Sequence, residues 1–328
     1  MINFNKILSA CMMSLGILTV GMASSAAQSD YPNRAIRLVV PFAPGGVTDT
    51  SARIIAEHMG KRLGKQMIVD NRPGASGNIG TGQVVRADPD GYTLLLGFDG
   101  TLVINPHVFA NIPFDTMKDF VPVGKIGDAI LIMVAHPSVQ ANTLNEVIAL
   151  SKKTPGGLSY GTSGIGSTPH IMGESINVKT GAQLVHVAYK GGGPAMIDLQ
   201  GGNIPIVLTA VAGALPHIQA GRIKGIGVSS AARASSLPDL PTFIEQGLKD
   251  FVLNSWVGIL APLKTPAPII DKLNTTLNEV LRDPEVVERL LKLGVTAMPG
   301  TPAQFGAAIK ADLDQFGAVV KAAKISQN

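Results

Sequence analysis

The sequence predicts an α/β protein of doubly wound βα units, and two lobes joined by crossing strands, with a ligand cleft between them, are possible if the chain crosses more than once. Three observations carry this reading. Short β-branched runs alternate with helical patterns at a spacing of roughly 20–30 residues, the mark of βα units. Several of the turns that leave those strands are richer in Gly, Ser and Thr than a tight connection needs. Two long extended apolar runs, 125–136 and 251–262, fall where the pattern changes, as crossings between lobes would.

Composition sets the limits. The chain has 328 residues, enough for two ordinary cores, and only 15% of them are charged, with 37 Gly and 22 Pro. Disordered and coiled-coil chains carry far more charge than that. The net charge is +4, yet no run of Lys and Arg exceeds two residues, so the clustering that a nucleic-acid footprint needs is absent.

The first segment, 1–27, reads as an export signal. Lys6 is its one cation, an apolar run extends from Ile7 to Ala23, and the small residues Ser24, Ser25, Ala26 and Ala27 follow. Cleavage is expected after Ala27. A membrane anchor would need about 20 apolar residues and charges on its exit side. Cys11 sits in a sequence resembling a lipid-attachment box, but its apolar stretch follows the Cys instead of preceding it. Since Cys11 is the only Cys, the mature chain would contain no disulfide or thiolate chemistry. Removing 1–27 leaves 26 basic against 23 acidic groups, a net of +3.

Strands are expected at 36–40, 67–70, 93–97, 130–135, 158–161, 183–187, 205–209, 223–228 and 255–260. Helices fall between them at 48–63, 78–87, 144–153, 168–178, 193–201 and 215–220. Beyond Pro262 the pattern turns wholly helical: Ile269, Leu273, Leu277 and Val280 share one face, as do Phe305, Ile309, Phe316 and Val320. Asp283-Pro284 and Pro299-Gly300 separate these helices. No linker rich in Gly, Ser or Pro divides the chain, so two lobes require more than one crossing and would be roughly 28–131 with 254–328, and 132–253.

Catalytic signatures are missing. None of the six His residues lies in His-Glu-x-x-His; His170 and Glu174 share a helix face, without a third metal ligand nearby. The run Gly161-Thr162-Ser163-Gly164-Ile165-Gly166 approaches a nucleophile elbow but places its glycine one residue late. Neither a Walker sequence nor Gly-x-Gly-x-x-Gly occurs, and no cofactor is expected. What remains are three turns: Pro41-Phe42-Ala43-Pro44-Gly45-Gly46-Val47-Thr48-Asp49, the run from Gly161 to Thr168, and Lys190-Gly191-Gly192-Gly193. One reading is that these glycines only end elements, with Thr48, Asp49 and Thr168 capping helices. The other is that glycine admits a bound group while the first helical turn offers N–H donors and partial positive charge, an arrangement suited to a carboxylate. Charge-assisted hydrogen bonds contribute about 1.5–3 kcal/mol each, so a few reach micromolar affinity without a buried Arg.

These turns and their surroundings resemble the solute-binding receptors of tripartite tricarboxylate transporters, the Bug family. The matching stretches are Tyr31-Pro32, Ile36 to Gly46, Thr48-Asp49, Asn71-Arg72-Pro73-Gly74-Ala75 with Gly77-Asn78-Ile79-Gly80, and Pro89-Asp90-Gly91-Tyr92. Further on come Ile104-Asn105-Pro106, Tyr189-Lys190-Gly191, Ala214 to Ile218, Leu237 to Thr242, Ser255-Trp256 and Leu260-Ala261-Pro262. They run in order along nearly the whole mature chain. The resemblance implies a periplasmic binding protein-like fold that closes on a small organic carboxylate and hands it to membrane permease subunits. It carries ligand contacts onto Phe42, Ala43, Gly46, Thr48 and Asp49, and in the opposing lobe onto Ser163, Gly164, Ser167 and Thr168, with Thr209 at the end of a further strand.

Departures bear on the ligand. Many members have Asp-Asn after the strand that here ends at Thr209-Ala210, and this chain has Val211-Ala212. Ala188 replaces a frequent Pro, and Val47 a frequent Ser or Thr. The expected ligand is therefore an organic acid without an ammonium group, an apolar body being permitted. Two other outputs stay open from sequence: a closed receptor that docks a membrane signalling protein, and an exported hydrolase using Ser163 and His170. Trp256 is expected in the core at a lobe crossing.

Overall fold

The computed structural model describes residues 31–45, 47–189 and 191–326. The expected export signal lies outside them. Two mixed sheets organise the chain. In chain order, β1 (Ile36–Val40), α1 (Val47–Leu63), β2 (Met67–Asn71), α2 (Asn78–Val85) and β3 (Thr93–Phe98) begin the first lobe. A π-helical turn over Gly100–Ile104, the short α3 (Asn105–Val108) and β4 (Phe120–Ala129) follow. The second lobe holds β5 (Leu131–Ala135), α4 (Leu144–Lys153), β6 (Leu158–Thr162), α5 (Thr168–Thr180), β7 (Leu184–Ala188), α6 (Gly192–Gln200), β8 (Ile206–Ala210), α7 (Val211–Gln219) and β9 (Lys224–Val228). The chain then returns through β10 (Ser255–Pro262), α8 (Ala267–Val280), α9 (Pro284–Lys292), β11 (Val295–Ala297) and α10 (Pro302–Ala322).

The six-stranded sheet has the order β11-β4-β10-β3-β1-β2, and the five-stranded sheet β7-β6-β8-β5-β9. Within the βα units the strands are parallel: Ile36 stands opposite Met67, and Leu158 opposite Leu184. β10 runs antiparallel to β3 and β4, and β5 antiparallel to β8 and β9. The reason is positional. A strand that arrives from the other lobe enters its sheet from the opposite end, so the crossings reverse direction.

Two expectations are corrected here. The region beyond Pro262 is not wholly helical, because Val295–Ala297 pairs with β4 as an edge strand. Three residues are too few to display the two-residue alternation of a strand. In addition, β4 spans ten residues from Phe120, well before the extended run expected at 125. Its interruptions at Pro122, Gly124 and Gly127 disguise it, and register shifts against β10 absorb them.

Burial follows the sheet faces. Ile36, Leu38 and Val40 of β1 are buried against Ile55, Met59 and the α8 residues Leu273 and Leu277 in one core. A second core runs without a break from Val39 and Leu95 of the first sheet to Met133, Tyr160 and Leu208 of the second. That continuity explains why no flexible linker is needed. Helix ends are set locally: Thr143 with Glu146 and Thr301 with Gln304 form reciprocal capping boxes.

Trp256 is in the core at the return crossing, as expected. It is buried, edge-on to Phe305, and its Nε1 donates to Asp312 Oδ2 at 2.6 Å. Phenylalanine at this position would strip a half-buried carboxylate of its donor, so Trp256→Phe is expected to cost about 1–3 kcal/mol, measurable by urea unfolding.

Candidate functional site

A cavity of about 630 Å³ lies between the lobes. The C-terminal ends of β1, β3, β6 and β7 feed it, which is where open α/β sheets place ligands. A larger depression, about 760 Å³, lies against α1 and the edge strand β2. It has one lobe's surface on one side and nothing facing it, so it cannot enclose a small molecule.

The first lobe builds its wall from three turns. Phe42 and Thr48 come from the turn after β1, with Phe42 edge-on to Phe98 at 5.3 Å. The turn after β2 is strained: Ala75 and Ser76 have φ of 47° and 53°, between Gly74 and Gly77 at 134° and 93°. Left-handed backbone at two non-glycine residues costs free energy and persists only where neighbours hold it. Here the Ser76 carbonyl accepts from Thr101 Oγ1 at 2.9 Å and from Asn105 Nδ2 at 3.0 Å. Asn105 also donates to Asn78 Oδ1 at 2.7 Å. Ser76, Thr101 and Asn105 all reach the cavity.

The second lobe presents the turn from Ser163 to Ser167, together with Ala188, Tyr189 and Gly191. This turn is tied from behind. Thr162 Oγ1 takes the Gly164 N–H at 3.2 Å and lies 2.7 Å from His186 Nε2. The Gly166 N–H donates to His170 Nδ1, also at 3.2 Å. The His170 and His186 rings stack with centroids 3.7 Å apart. Burial pushes His170 down to about 4, and burial with the neighbouring ring does the same to His186, so both are neutral at pH 7. His170 lies 4.0 Å from Glu174, and among the described residues no three His, Cys, Asp or Glu are grouped to hold a metal.

Of the residues singled out from sequence, Phe42, Thr48, Ser163, Gly164 and Ser167 line the cavity together. Gly46 lies outside the described residues. Ala43 is exposed near the rim, and Thr209 sits at the end of β8 beside Gly192 and Gly213, off the wall. Asp49 is buried and braces the first turn from within, accepting from Gly45 N at 2.9 Å, from Arg53 and from Asn71. Burial works to raise its carboxyl, but these donors outweigh that and hold it below the usual range. Thr168 is buried as well, and its hydroxyl donates to Asp99 Oδ2 at 2.7 Å. Ser167, not Thr168, caps α5, accepting from His170 N.

Sequence reasoning passed over Ser76, Phe98, Gly100, Thr101 and Asn105. A signal existed: the turns after β2 and β3 share a sheet edge with the turn after β1, and Gly74-x-x-Gly77 is itself unusual. The resulting wall carries hydroxyls, one amide and aromatic faces, and none of its described residues is ionised.

The family model for the tripartite tricarboxylate transporter family receptor matches residues 51–325. The chain belongs to this receptor family. A curated relative, BugT of Bordetella pertussis, is 35% identical over 306 residues, covering 93% of this chain and 94% of that protein. Among solved structures, R. palustris Rpa4515 with adipate is 32% identical with a TM-score of 0.83, covering 91% of this chain and 100% of that one. MatC from Rhodopseudomonas palustris with bound malate is 30% identical with a TM-score of 0.78, covering 88% of this chain and 100% of that one. Tripartite tricarboxylate transporter receptors are periplasmic solute-binding proteins, not enzymes. His170, the base of the exported-hydrolase alternative, is bonded to Gly166 and stacked on His186 behind the cavity wall.

Proposed function

We propose that this receptor captures a small organic carboxylate between its lobes in the periplasm and presents it to the permease subunits of a tripartite tricarboxylate-type transporter. The observation that carries the reading is the interlobe cavity, walled by Thr48, Ser76, Thr101, Asn105 and Ser163 with Phe42 and Phe98 beside them. The hydroxyls of Thr48, Ser76 and Ser163 and the strand-end turns suit a carboxylate, and the aromatic pair suits an apolar body. Adipate and malate on the two relatives support the same ligand class. In this reading 1–27 is the cleaved export signal, and the lobes that close are 28–131 with 254–328, and 132–253.

An ammonium group would find no carboxylate partner in the described wall. Val211 and Ala212 follow β8, and none of the described cavity residues bears a carboxylate. Leaving a buried ammonium unpaired costs several kcal/mol, enough to abolish binding. The test is a thermal-shift panel of organic acids and amino acids, followed by calorimetry on the hits. One acid per chain, recovered unchanged, is the expected outcome, and a preference for aspartate or glutamate would overturn it.

A further inference from the structure

Asp99 follows β3 directly and is fully buried. Its two oxygens face different parts of the molecule. Oδ2 accepts from Thr168 Oγ1 at 2.7 Å, on the helix that hangs from the second sheet. Oδ1 accepts from Ser255 Oγ at 2.7 Å, the first residue of the returning strand β10. One carboxyl therefore joins the first lobe, the second lobe and a crossing. The residues beside these contacts form the cleft: Gly100 and Thr101 follow Asp99, and Ser167 precedes Thr168.

Among the described residues no cation balances this group. Its donors are two hydroxyls and the Gly100 N–H, and the charged group bearing on it is Asp312 of α10, which repels it. Lys125 and Asp128 of β4 act on Asp312 in turn. Thr168 and Ser255 can donate to a carboxylate or share the proton of a neutral acid. An opening motion that draws α5 away would admit water to the carboxyl, and water favours its ionised form.

We propose that Asp99 is an interlobe latch: its carboxyl holds Thr168 against the first lobe when the lobes are closed, meets water when they part, and thereby couples closure to proton uptake. Burial pushes the Asp99 carboxyl up to about 7. Closure is thus favoured below that pH and weakens as pH rises through it, because the ionised form is the one that loses by burial. His170, two residues beyond Thr168, is held near 4 and stays neutral over this range. The latch matters for capture on the receptor reading above. It is tested without ligand, so its failure leaves carboxylate binding standing.

Spin labels at Lys65→Cys and Arg222→Cys, both exposed and one in each lobe, report the interlobe distance in a Cys11→Ser background free of other thiols. Between pH 6 and pH 8 the closed-to-open ratio of the parent is expected to fall about tenfold. Asp99→Asn mimics the neutral acid and should stay closed at both values. Thr168→Val should shift the ratio toward open by about tenfold, and Thr168→Ser should restore it. A parent ratio that does not move with pH, or an Asp99→Asn protein that follows the parent's profile, would overturn the latch. Should Asp99→Asn fail to fold, the Thr168 pair decides: a Val variant with parental distances overturns it, and an open Val variant rescued by Ser supports it.

Discussion

Gly77→Ala is expected to abolish ligand capture and to lower the melting temperature by about 3–10 °C. Gly77 has φ of 93°, a region that costs an L-residue about 1–2 kcal/mol. A methyl group there would fall on Thr101 Oγ1 and crowd Phe42 Cζ. Overpacking of that kind adds about 1–3 kcal/mol. At an unfolding entropy of about 2.1 cal/mol/K per residue, each kcal/mol moves the melting temperature of a chain this size by about 1.5–2 °C. The displaced Thr101 is also the donor that fixes the strained Ser76 carbonyl, so two cleft residues move together. Both residues line the cleft, and a loss of about 2.8 kcal/mol from its altered shape would weaken a bound acid by about 100-fold. Gly45 supplies the control. It has the same φ of 93° with nothing within 4 Å of an added methyl, so Gly45→Ala should show the backbone cost alone. Equal melting temperatures for the two variants would show that Thr101 yields freely and that the turn is not the rigid wall described.

The second large effect is on acid stability. His170 is 5% exposed, and its ring is held to about 4 by burial, against 6.5 in an unfolded chain. Between those values the unfolded chain binds the proton and the folded one does not. Stability from this group is therefore complete above pH 6.5 and is lost as pH falls toward 4, by roughly 3 kcal/mol. His186 acts in the same direction. Asp99 acts in the opposite one, its raised value making the folded state less stable as pH rises from 3.8 to about 7. Comparing the parent with His170→Asn cancels the Asp99 contribution. Asparagine keeps an acceptor for the Gly166 N–H and removes the titration, so its urea midpoint should fall much less between pH 7 and pH 4.5. Parallel acid profiles would mean that the ring already titrates as it does in the unfolded chain.

Much of the fold was readable because local pattern and burial agree. β1 matches its expected span residue for residue, since Ile36, Leu38, Val39 and Val40 need the interior whatever surrounds them. α4 matches too, because Thr143 and Glu146 mark its start by local chemistry alone. β4 and β11 were hidden for the converse reason: what makes them strands is a partner more than a hundred residues away. The site divided along the same line. Phe42, Thr48, Ser163, Gly164 and Ser167 belong to glycine-marked turns, and those turns announce themselves. Thr101 and Asn105 stand in an apolar-looking stretch, and only the approach of the Ser76 carbonyl gives them work.

Asp49 and Thr168 show the limit most plainly. Each sits at a helix start in a motif that points to a ligand, and each spends its polar atoms on the protein, Asp49 on Arg53 and Asn71, Thr168 on Asp99. The alternation of strands and helices and the turns that carry small polar residues are legible in the chain because they follow from local backbone preference and the period of burial, and the family is legible in its matched stretches. Which side chains face the cleft and which face one another emerges only on folding. That choice is made by groups distant in the chain competing for the same hydrogen-bond partners once water has been excluded.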